Sequence, residues 1–145
     1  MKFKKFFVFG MILLLISGSQ IFAWEQTFYN QIGPSYNRPS IDVRVFFGVK
    51  LFGKNIGYWK TQKNISNFNI IKGKAADCLV HIEVRKSGDK KWIQFKDLKT
   101  TGGWEGGYIN RCGNNTLYIN QNPDGWYLEK KDSHGLGRIV SKPSR

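Results

Sequence analysis

The chain has 145 residues, 41% of them hydrophobic and 15% aromatic, with 23 basic against 10 acidic side chains and a formal net charge of +13. That length bounds the folded part to one domain, and so aromatic a composition excludes a disordered chain. No G-x-S-x-G, H-E-x-x-H or phosphate-loop motif is present, and two cysteines with two distant histidines make no tetrahedral set, so no metal and no cofactor are implied.

Met1 to Ala23 reads as a cleavable secretory signal peptide. Lys2, Lys4 and Lys5 form a basic start, Phe6 to Ile16 an apolar run too short for a comfortable membrane span, and Ser17 to Ala23 a cleavage region. The cut falls after Ala23 or after Ser19, and no cysteine follows either for a lipid anchor. The remainder, Trp24 to Arg145, loses three basic residues and no acidic one, which lowers the charge from +13 to +10. A field of that sign draws a small exported domain toward polyanions. Export also predicts that Cys78 and Cys112 pair as a structural disulfide.

Residues 24–40 read as an irregular leader, punctuated by Gly33-Pro34 and Arg38-Pro39. Ile41 to Leu51 is the clearest strand, with Ile41, Val43, Val45, Phe47, Val49 and Leu51 on one face and Asp42, Arg44 and Lys50 on the other. Gly53-Lys54-Asn55 is a turn, Gly57 to Lys60 a short strand, Thr61 to Asn67 a polar connection and Phe68 to Lys72 another strand. Cys78, Val80, Ile82 and Val84 alternate with Leu79, His81, Glu83 and Arg85. A Ser87-Gly88-Asp89 turn then predicts a hairpin onto Ile93 and Phe95. Tyr108 to Cys112 and Thr116 to Asn120 read as a second pair. Asn122 to Gly125 is a turn, Trp126 to Lys130 the last strand, and residues 133–145 a basic tail that frays. No segment keeps a helical period. The expectation is an all-β, single antiparallel β-sandwich of immunoglobulin-like type over residues 41–132, with one disulfide.

Trp126, alternating with Leu128, belongs to the core. Trp92 lies opposite Ile93 and Phe95, beside Lys90, Lys91 and Gln94. Trp104 stands between two glycine pairs, where packing does not explain an indole. These residues, with Tyr118, form the candidate ligand surface, since exposed rings beside basic and amide groups suit sugar faces and membrane interfaces. The pattern Val80, Val84-Arg85, Gly88, Trp92, Phe95, followed by Gly103-Trp104, resembles the middle hairpin of the carbohydrate-binding β-sandwich domain of expansins and grass-pollen group-2 allergens. The resemblance covers about 30 of the 122 residues after Ala23; this chain departs from the family in its cysteine pair and its final strand. It implies a non-hydrolytic binder of wall polysaccharide with Trp92 and Trp104 as surface aromatics.

The expected function is thus secreted, monomeric and non-catalytic: association with an extracellular polysaccharide or anionic surface. The runner-up is an effector acting on a host or competitor through protein or membrane contact. A small ribonuclease comes third, with His81, Glu83, Glu105, Arg111 and His134 available as acid, base and phosphate holder. Lys90-Lys91-Trp92 and Lys130-Lys131 interleave charge and rings as single-strand nucleic-acid binders do, but export argues against that partner. Asn64 and Asn114 open glycosylation sequons that matter only in a eukaryotic host.

Overall fold

A computed structural model describes residues 23–74, 77–100 and 107–145. Among these residues, nine strands build two sheets. One sheet orders β4 (Phe68–Lys72), β1 (Glu25–Asn30), β7 (Asn115–Asn122), β8 (Gly125–Lys131) and β9 (Gly137–Ile139); the other orders β3 (Lys54–Ile65), β2 (Ile41–Leu51), β5 (Cys78–Lys86) and β6 (Ile93–Gln94). All neighbours are antiparallel except β1 and β7, which run parallel. The two inner faces meet in one core. Ile41, Val43, Val45 and Phe47 of β2 share it with Ile82 and Val84 of β5, and with Phe28, Leu117, Ile119 and Leu128 of the five-stranded sheet. The all-β sandwich and the Cys78–Cys112 disulfide are both present, and the bridge closes a loop of 34 residues' separation. In chain-entropy terms such a closure stabilises the fold by about 4 kcal/mol. Trp126 is buried in the core, as its alternation with Leu128 predicts.

The structure departs from the expected boundaries at both ends. Residues 24–40 are not an irregular leader: β1 is a central strand, flanked by β4 and β7. Its inward face is Gln26, Phe28 and Asn30, all buried. The two amides are satisfied internally. Gln26 donates to the Gly113 carbonyl and accepts from Asn115, while Asn30 donates to the carbonyls of Pro39 and Ile65. A strand whose core face is two-thirds amide carries no apolar alternation. Residues 133–145 do not fray either. Ile139 pairs with Glu129 in β9, Val140 is wholly buried, and Lys142 and Ser144 bridge to Lys96 and Trp126. This strap ties the edge of one sheet to the strand end of the other. The sandwich therefore runs from Glu25 to Ser144, beyond the 41–132 read from sequence.

Inside the domain, the short strand and polar connection after residue 57 are one edge strand, β3. Its outer positions face solvent and tolerate polar side chains. Tyr108 to Cys112 forms no strand; it is a loop braced by side chains, with Asn110 N–H donating to Asn115 and Cys112 N–H to Asn110. The β5 alternation also slips. Phe46 opposes His81 but Phe47 opposes Leu79, so Val80 is an extra residue in a β-bulge, and Leu79 rather than Val80 enters the core.

If the terminal strap is structural, Val140→Ala destabilises the domain by about 2 kcal/mol, the cost of a small core truncation. Urea unfolding of the variant measures this, and a frayed tail would give no change.

Candidate functional site

The sequence-predicted site residues lie on opposite sides of the sandwich. Trp92, Lys90 and Lys91 sit at the end of the β5–β6 hairpin on the four-stranded sheet, with both lysines exposed. Tyr118 lies on the outer face of the five-stranded sheet. Trp104 falls outside the described residues, as does Glu105.

On the outer face of the four-stranded sheet, alternation in β2 and β5 directs Asp42, Arg44 and Phe46 outward opposite Arg85, Glu83 and His81. Trp92 is held there by two cations, with the Arg44 guanidinium 4.4 Å and the Arg85 guanidinium 4.2 Å from its ring centroid. Arg44 also stacks on Trp59 at 4.5 Å, and Trp59 packs edge-on against Phe46. Each arginine has its own carboxylate: Arg44 donates to Glu83, and Arg85 to Asp42 at 2.9 Å. Asp42, almost wholly buried, also accepts from Ser87 Oγ and Asn64 N–H. Burial alone would raise its pKa, but the hydrogen bonds from Asn64, Ser87 and Arg85 outweigh that and hold it below the usual value. The face is a self-satisfied ladder of rings, guanidiniums and carboxylates. Trp92, proposed from sequence for sugar stacking, has its indole engaged by the protein's own cations.

Beside the ladder, a cleft of about 750 Å³ opens at the disulfide end, with Lys50, Asn55, His81, Gln94, Lys96 and Arg111 on its walls. The β5 bulge shapes it. Arg111, next to Cys112, donates to the Leu79 and Val80 carbonyls at 3.2 and 2.9 Å. His81 lies between the amides of Asn55 (2.8 Å) and Gln94 (3.1 Å). Burial first, then the nearby Arg111 and Lys50 charges, push the His81 imidazole below its ordinary 6.5, with Glu83 pulling the other way. The cleft thus holds an imidazole and amides among cations, with the Asp97 carboxylate also on its wall, a surface for a hydroxylated group. Of the ribonuclease candidates, His81 and Arg111 line it, and Glu105 lies outside the described residues. His134 sits in the turn before β9, in the other sheet, and Glu83 is committed to Arg44.

The five-stranded sheet is built differently. Register places Phe68 opposite Tyr29 and Tyr29 opposite Tyr118. The three rings stack across neighbouring strands, Phe68 on Tyr29 at 5.3 Å and Tyr29 on Tyr118 at 5.0 Å. Lys131 Nζ stands 5.0 Å from the Tyr118 ring centroid and closes the row with a cation. The row ends on edge strand β4, where Phe68 is 56% exposed. Sequence reasoning found Tyr118 and missed its partners. The signal for Tyr29 was its alternation with the buried Phe28, two positions from Thr27, inside a segment read as irregular.

No family model, no curated protein and no solved structure matches the chain.

The depressed His81 pKa has a defined consequence. The unfolded chain takes up the proton near pH 6.5 while the fold resists it, so the stability contributed by neutral His81 is full above pH 6.5 and declines as pH falls through that value. His81→Gln should flatten the stability profile below about pH 6.5. Chemical denaturation at a series of pH values reads this out, and parallel profiles for both proteins would contradict it.

Proposed function

We propose that this is a secreted, non-catalytic binding protein that holds an extracellular polysaccharide on the outer face of its five-stranded sheet, with a preference for polymers that carry acidic groups. One observation carries the reading: the Phe68–Tyr29–Tyr118 row, ending in Lys131, on a sheet face where no acidic residue pairs with that lysine among the described residues. Three rings on adjacent strands, about 4.8 Å apart, span roughly 10 Å and turn their edges outward. A rigid apolar strip of that length suits the apolar faces of consecutive sugar units, and aromatic side chains give large contact area for little lost conformational freedom. Lys131 and the formal charge of +10 after Ala23 supply attraction for uronate, phosphate or sulfate substituents. The disulfide supports the exported setting, since such bridges persist in oxidising compartments. The expansin-like hairpin enters only as a parallel in function. The row lies on the sheet opposite Trp92, the one of that hairpin's two candidate aromatics among the described residues.

The test is retention of the oxidised protein on an insoluble acidic polysaccharide in about 0.5 M salt, where exposed charge pairs are largely screened. Tyr118→Ala and Phe68→Ala should each lower retention about five- to ten-fold, the loss of one aromatic contact. Lys90→Gln with Lys91→Gln, on the other sheet, should leave it unchanged. Retention that disappears in salt for every variant would reduce the interaction to net charge.

A further inference from the structure

We propose that the tip of the β2–β3 hairpin, formed by Val49, Leu51, Phe52 and Ile56, inserts into the headgroup–acyl boundary of an anionic phospholipid bilayer. This is a second surface, separate from the aromatic row.

The hairpin outruns the sandwich. Pairing of β2 with β5 stops at Gly48 opposite Cys78, whereas pairing with β3 continues to Leu51 opposite Lys54. Val49 to Ile56 is therefore a two-stranded ribbon. Its base is a glycine pair: Gly48 faces Gly57, and a Cβ on either would run into the opposing carbonyl oxygen. Along β2, Ile41, Val43, Val45 and Phe47 fill the core. The next two residues on that face, Val49 and Leu51, are each 49% exposed. Val49 opposes Ile56, itself 56% exposed, so the apolar side chains gather on one face of the ribbon.

Phe52 decides what kind of surface this is. It is fully exposed, at 103%. It also occupies the left-handed region at φ 49°, followed by Gly53 at φ 74°. Two successive positive φ values define the tight hairpin turn that favours Asn, Asp or Gly at its first position. A phenylalanine there works against the turn and packs on nothing in the domain. Neither folding nor solubility accounts for it, and a backbone outlier at an exposed tip points to function.

Charge selects the occupant. Lys50 and Lys54 flank the tip, and among the described residues no acidic side chain pairs with either. Lys96 and Arg111 continue the positive surface into the cleft at the ribbon's base. Apolar side chains at an apex with lysines beside them, Lys54 opposite Leu51 and Lys50 between Val49 and Leu51, match a bilayer, whose acyl region lies beneath an anionic headgroup layer. The chain also enters the domain at this end. The Trp24 carbonyl accepts from Gly73 N–H at 3.1 Å, and Gly73 lies against the Phe47 ring at the foot of the ribbon.

The experiment uses the oxidised chain from Trp24 onward, whose core cluster is complete between Phe28 and Val140. It is sedimented with vesicles of equimolar phosphatidylglycerol and phosphatidylcholine, and with phosphatidylcholine alone. Phe52→Asn, a substitution the turn favours, should lower the bound-to-free ratio on the anionic vesicles about ten-fold or more, while Phe52→Trp retains it. Lys50→Gln with Lys54→Gln should lower it roughly thirty-fold on anionic vesicles only. Phe52→Asn should leave polysaccharide retention unchanged, so failure of one surface is distinguishable from failure of the other. No binding by the unaltered protein, or equal binding by Phe52→Asn, overturns the proposal. So does self-association in solution that Phe52→Asn abolishes without any vesicle binding, which would assign the tip to a second copy of the chain.

Discussion

Four side chains on one strand, Ile41, Val43, Val45 and Phe47, hold the two sheets together. Each is fully buried, and each faces residues of the opposite sheet, Phe28, Leu117, Ile119 and Leu128 among them. Burial of such side chains stabilises a fold by about 1.5–3 kcal/mol apiece. The surface features follow from where this row stops being covered. Past Phe47 the same alternation continues into Val49 and Leu51, but pairing with β5 has stopped and both side chains are half exposed. One period-two pattern thus produces both the core and the exposed ribbon, and the glycine pair at 48 and 57 marks the passage from one to the other.

The outer faces divide the remaining work. On the four-stranded sheet, aromatic and charged side chains are spent on one another: Trp59, Arg44, Trp92 and Arg85 alternate ring and cation, and Glu83 and Asp42 neutralise the arginines. Asp42 additionally fixes Asn64 and Ser87, which anchors the chain at both ends of β3 and β5 nearest it. A group with so many partners is a stability element rather than a docking element. On the five-stranded sheet the aromatic residues stack on each other and end in a single lysine, leaving their solvent edges and Phe68 uncommitted. The two surfaces differ in whether the cation against the ring is also ion-paired: Arg44 and Arg85 are, whereas Lys131 is not among the described residues, although Glu129 stands opposite Tyr118 on the same face.

Much of the architecture was legible in the chain. The β2 alternation, the β5–β6 hairpin, the buried Trp126 and the disulfide all appear where apolar period, turn residues and export predict them. The misreadings share one physical cause: hydrophobic period reports burial of apolar groups and is blind to burial of satisfied polar ones. β1 hides because its core face is Gln26 and Asn30 around Phe28. The terminal strap hides because Ser141 and Ser144 are buried with hydrogen bonds, Ser141 Oγ accepting from Leu128 N–H. The bulge at Val80 is invisible for another reason, since an inserted residue changes which side chains face inward without changing composition. The candidate site suffered most from this. Trp92 was visible as an exposed-type tryptophan, yet the arginines that stack on it arrive from β2 and β5, 48 and 7 positions away in sequence. Tyr118 gained its significance only from Tyr29 and Phe68, contributed by strands that sequence placed apart.

The central claim is that ligand contact belongs to the five-stranded sheet and that the tryptophan–arginine ladder is internal architecture. Aromatic-resolved NMR during titration with a soluble acidic oligosaccharide tests it most directly. The account predicts progressive, saturable shifts for the Phe68, Tyr29 and Tyr118 ring resonances, with Trp59 and Trp92 unmoved. Saturable shifts at Trp92 and Trp59, with the Phe68–Tyr29–Tyr118 row silent, would contradict it.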